Sequence, residues 1–138
     1  MEFKDLVEMD EYIAFEDISE PRTNGIRLRI KINVSKNETD LLIYPDGDCN
    51  VQTLEIAFPN YVTYSVVYDN YTTWNERDEF IGNRFRIYKK SNYLNFIEKE
   101  YRLGPELSRK KLTHYSLACF EHKVDVISFD EPSINELK

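Results

Sequence analysis

The sequence predicts an α+β fold, a mainly antiparallel curved sheet or partly closed barrel of about 7–8 strands with one helix packed on it. Three observations lead there. Residues 26–34 alternate without a break: Ile26, Leu28, Ile30, Ile32 and Val34 stand against Arg27, Arg29, Lys31 and Asn33. This is the two-residue period of a strand with one packed face and one wet face. The chain holds ten tyrosines and eight phenylalanines but only four glycines and five prolines, a composition weighted towards sheet and against disorder. The third is that one stretch alone, residues 92–102, carries a convincing helical stripe, and a helix with a single apolar stripe must lie on something flat.

The elements follow in order. Phe3, Leu6 and Val7 suit one short amphipathic turn within residues 2–9. Residues 11–18 read as a strand, and Pro21 and Gly25 mark a loop before the strand at 25–34. Ser35 to Asp40 reads as a turn, Leu41–Tyr44 as a short strand, and Pro45–Asp48 as another turn. Residues 51–58 alternate with Leu54, Ile56 and Phe58 facing in, Pro59-Asn60 interrupts, and residues 61–71 form the next strand. A polar loop, 72–78, contains Trp74. Residues 80–90 then read as one strand running into the helix, with Ser91 as N-cap, Leu94, Ile97 and Tyr101 on the packed face, Tyr93 and Phe96 at its edges, and Gly104-Pro105 as the stop. Two strands, 112–121 and 124–129, are expected around a His122-Lys123 turn, and the tail from about residue 131 is expected to be loosely ordered. At 138 residues, one domain spanning 1–138 accommodates all of this around its own core.

Charge and cysteine usage bound the function. The net charge of −7 argues against general binding to nucleic acid, because the summed field repels phosphates. Two cysteines, Cys49 and Cys119, are too few for a disulfide framework and fit a reducing compartment. The N-terminus lacks the basic region and apolar core of a signal peptide, and no apolar run approaches the roughly 18 residues of a spanning helix. A cytoplasmic protein with no membrane contact is therefore expected.

No catalytic motif stands out, and neither a metal nor a cofactor is expected. His114, Cys119 and His122 are spaced along strands so that they do not converge on one ion. Asp46 to Asn50 begins like a calcium loop but has Val51 where the glycine belongs. Asp125, between Val124 and Val126, reads as a residue at a strand's start or one that accepts backbone hydrogen bonds; the alternative, a desolvated carboxylate with a raised pKa, would suit an acid or base.

Two binding surfaces are legible instead. Arg84, Arg86, Tyr88 and Lys90 alternate on one strand face as Arg27, Arg29 and Lys31 do on another. If the two strands are adjacent they make one cationic surface for an anion, an acidic protein or a nucleic-acid strand stacked on Tyr88; if they are not, acidic neighbours neutralise them. Tyr71 and Trp74, set among polar residues, form an aromatic patch of the kind that anchors a protein partner. The expected function is a non-catalytic protein-interaction module, immunity- or adaptor-like, binding its partner through an acidic and aromatic surface. The alternative is a barrel that binds a small anionic ligand, or a hydrolase acting in its mouth.

Overall fold

Of the strand expected over residues 25–34, Leu28 onward forms one, and its apolar face lies at the centre of a two-layer structure; Ile26 instead bridges back to Thr23 and Arg27 lies in the connection before the strand. The computed structural model describes residues 1–23, 25–43, 50–68, 77–101 and 111–137. In chain order the elements are α1 (Phe3–Val7), β1 (Tyr12–Ser19), β2 (Leu28–Ser35), α2 (Glu38–Ile43), β3 (Gln52–Phe58), β4 (Thr63–Tyr68), β5 (Glu79–Ile81), β6 (Phe85–Lys90), α3 (Asn92–Glu100), β7 (Thr113–Ala118), β8 (His122–Ser128) and β9 (Ser133–Leu137). The strands form two antiparallel sheets, ordered β1-β2-β3-β9 and β4-β8-β7-β6-β5.

The sheets pack face to face. Ile30, Ile32, Leu54, Ile56 and Phe58 of the first meet Phe85, Tyr115, Leu117, Val124 and Val126 of the second, with the Phe58 and Tyr115 rings edge to face at 5.5 Å. Helix α1 fills the space beside them. Its Phe3 ring stands edge-on to Phe85 at 6.1 Å and to Tyr115 at 5.1 Å, and Leu6 is fully buried. A void between the layers, lined by Phe3, Ile30, Ile56, Phe58 and Tyr115 among others, is about 10 Å³, too small for a ligand.

The architecture is thus α+β with antiparallel sheets, but no closed barrel forms, since the strands divide between two sheets. Local physics accounts for the other departures from expectation. Residues 41–43 lie in α2 instead of a strand: the Asn37 side chain accepts the Thr39 N–H at 2.9 Å, Glu38 and Asp40 occupy the first turn, and Leu41 is the residue it buries. Residues 80–90 form two strands, because Gly82, at φ +95°, turns the chain back so that Ile81 pairs with Ile87. His122 and Lys123 belong to β8, and the turn before it is made by Glu121 at φ +62°. Residues 133–137, expected in a loose tail, pair with β3, where Ile134 sits opposite Ile56 and packs on the core. Among the described residues three helices are present, where one was expected.

Candidate functional site

The two basic stripes do not meet. Arg29 and Lys31 lie on the outward face of the four-stranded sheet, whereas Arg86, Tyr88 and Lys90 lie on the outward face of the other, so the condition for a single cationic surface is not satisfied. Several of these residues also have partners. Lys31 pairs with Glu16 at 3.7 Å, Lys90 with Glu79 at 3.6 Å, and Arg84 with Asp10 at 3.0 Å while stacking over Tyr12. Arg86 donates through Nε to the Asn83 carbonyl at 2.6 Å and lies over the Phe80 ring. Tyr71 and Trp74 lie outside the described residues, as do Cys49 and Gly104. Cys119 is a free thiol, and burial pushes its pKa up.

Where Tyr88 faces outward, the structure assembles a polar line that was not legible in the sequence. Ser91 Oγ stands 2.6 Å from His114 Nδ1, and His114 Nε2 stands 2.7 Å from Asp125 Oδ1. Lys123 Nζ reaches both Asp125 oxygens, at 2.9 and 3.0 Å. The Tyr88 ring is stacked on the imidazole at 3.9 Å, and Tyr93 of α3 closes on it edge-on. Ser91, His114 and Asp125 are all buried. Burial alone would raise the Asp125 carboxyl, but the His114 hydrogen bond and the Lys123 ammonium outweigh it and hold the pKa below the ordinary carboxylate range. The alternative of a raised pKa does not hold, because His114 on the neighbouring strand and Lys123 on the same strand outweigh the valines beside it in sequence.

This line has the members of a Ser-His-Asp triad, and it also ties the start of α3 to β7. Ser91 Oγ already accepts the Leu94 N–H at 2.9 Å as the N-cap of α3. The Asn92 N–H, a natural donor to an oxyanion, is taken by Asp78 Oδ1 at 2.8 Å. Through the imidazole, the Ser91 hydroxyl and the Asp125 carboxylate are joined in one hydrogen-bonded line, a clamp that holds the start of α3 on β7. His122 does not join it: its ring lies between Phe15 and Tyr68 on the inward face.

Among the described residues two surfaces remain open. A cleft of about 570 Å³ lies where the β1–β2 and β3–β4 connections meet, lined by Glu20, Arg22, Ile26, Arg27, Tyr61 and Val62. In it Tyr61 donates to Glu20 Oε1, and this hydrogen bond, with burial and the Glu20 charge, pushes the phenol up to about 12. Arg27 reaches the Asn60 side chain at 3.3 Å. The second surface is the outer face of α3. Ile97 is its buried residue, whereas Phe96, with Glu100 one turn on, and Tyr101, the extended residue that follows the helix, are 54% and 59% exposed, although both were expected at or near the packed face. No helix among the described residues is long and apolar enough to cross a membrane. Comparison of the chain with protein-family models, with curated proteins and with solved structures gave no match, so the site is read from its own geometry alone.

Proposed function

We propose that this chain is a non-catalytic protein-interaction module, immunity- or adaptor-like, that engages its partner through an acidic and aromatic surface at the C-terminal half of α3 and the residue that follows it. The observation that carries this reading is the exposure of Phe96, with Glu100 one turn on, and of Tyr101 just past the helix. Large aromatic side chains left in water gain most from burial against another protein, and flanking carboxylates select a basic partner and speed its approach. The clamp beneath supports this role, because an interface works best on a helix that does not shift. The test is capture of partners from the native cell by the parent and by Phe96→Ala/Tyr101→Ala, with unchanged circular dichroism as the control. Loss of one defined partner at low salt supports the reading, and an identical capture profile removes it.

One observation favours a second reading. The cleft beside Arg22 and Arg27 has the size and the cations to hold a small anion, which moves the ligand-binding alternative from a barrel mouth to a surface site. A thermal shift with inorganic phosphate that disappears in Arg27→Ala would support it, whereas no shift in the parent would count against it.

A further inference from the structure

The two sheets have four edges, and three of them carry features that stop an edge from pairing with another chain. β1 is bulged at Glu16, and both Glu16 and Asp17 are exposed there. β9 is a short strand carrying exposed Glu136. β5 has three residues, of which Glu79 is exposed and paired to Lys90. β4 has none of these defences. Thr63-Tyr64-Ser65-Val66-Val67-Tyr68 contains no charge, proline or glycine, and it pairs with β8 in unbroken register on one side only among the described strands. Tyr64, Val66 and Tyr68 share its inward face, opposite Val126, Val124 and His122, and Val66 and Tyr68 are 36% and 45% exposed.

We propose that β4 pairs antiparallel with β4 of a second copy across a two-fold axis at Val66, joining two five-stranded sheets into one continuous sheet. A two-fold through the sheet keeps every residue opposite one on the same face. With Val66 on the axis, Val66 meets its own counterpart, Tyr64 lies opposite Tyr68 of the second copy, and Ser65 lies opposite Val67. Each inward-facing pair is apolar or aromatic, and each outward-facing pair is neutral. The charge balance points to the same place. Two chains of net charge −7 repel over most of their surfaces, but an uncharged strand sets no like charges opposite one another. The pairing covers Val66 and Tyr68 and satisfies the outward-pointing amides and carbonyls of β4. It leaves the outer face of α3, beyond β7 and β6 in the same sheet, to the partner proposed above.

Cysteine scanning in a Cys49→Ser background tests the register. Val66→Cys should form an intermolecular disulfide, because opposed Cα atoms in an antiparallel pair stand about 4.5–5.5 Å apart, within disulfide reach. Ser65→Cys and Val67→Cys face each other's positions instead of their own, and as single variants should not crosslink. The Cys119 thiol, deprotonated only with difficulty, should stay out of the exchange. Sedimentation equilibrium of the parent should show a dimer, and Val66→Lys, which sets two ammonium groups opposite each other, should weaken it by about tenfold or more. Ile81→Lys, on the exposed β5 edge, should leave it unchanged. A parent that stays monomeric up to about 1 mM overturns the proposal, as does crosslinking through residue 65 or 67 in place of 66. If the parent is monomeric and Val66→Lys instead abolishes binding of a different protein, the edge belongs to a foreign strand and the second copy is ruled out.

Discussion

At Asp125, burial and pairing pull in opposite directions, and pairing wins. The sequence shows a carboxylate between two valines, and with only that in view desolvation should raise its pKa. The groups that reverse the sign, His114 and Lys123, come from β7 and from the same face of β8, and no local pattern announces them. Ser91 was legible as a cap because capping is a contact over three residues, whereas its bond to His114 joins distant parts of the chain. Because the folded pKa of Asp125 is depressed, its contribution to stability is present above the unfolded value and is lost as pH falls through the folded one. Asp125→Asn should therefore cost about 3 kcal/mol at pH 7 by leaving the Lys123 charge partly buried and unpaired. The gap between parent and variant should close as urea unfolding is repeated at successively lower pH from 6 to 3. A gap that does not change with pH would mean that the carboxylate is not ionised in the clamp.

At the scale of elements, legibility followed length and the alternation of residue types. β2 and β3 were readable because apolar side chains recur at every second position, from Leu28 to Val34 and from Leu54 to Phe58, although Asn33, Ser35, Thr53 and Ala57 on the opposite face are buried as well. α2 was not readable, since Leu41, Leu42 and Ile43 favour strand by composition and only the Asn37 cap and the two acids of the first turn decide for helix. The β5–β6 turn was readable in principle: Gly82-Asn83 is a hairpin signal, concealed by the apolar and basic residues on either side that continue the alternation. Gly82 is also a position that no other residue fits. At φ +95°, an added Cβ would stand 2.0 Å from the Phe85 carbonyl oxygen and 3.0 Å from Val7 Cγ1 of α1. Gly82→Ala should cost about 2–3 kcal/mol or more in urea unfolding, while Asn83→Ala, which loses one exposed side-chain bond to Asp10, should cost under about 1 kcal/mol. Equal costs for the two would mean that the turn relaxes without strain.

Across the whole molecule, two phenylalanines of the same chemistry separate structure from binding. Phe3 is 4% exposed and closes the space beside the two sheets against Phe85 and Tyr115, whereas Phe96 is 54% exposed on α3. Truncating the first removes a filled volume from a core whose residual void is already minimal, so Phe3→Ala should cost about 3–5 kcal/mol. For a domain whose total stability is about 5–15 kcal/mol, that is enough to lower the urea midpoint sharply or to unfold the chain at room temperature. Truncating the second removes little that folding has buried, so Phe96→Ala should change stability by less than about 0.5 kcal/mol. The two variants thus make opposite demands on the same measurement, made with the purified chain and no partner. If Phe96→Ala proves as damaging as Phe3→Ala, the outer face of α3 is core and the interaction reading loses its surface. If Phe96→Ala is silent in unfolding yet removes the partner, the side chain is kept exposed for binding, and the Ser91–His114–Asp125 clamp is what holds it there.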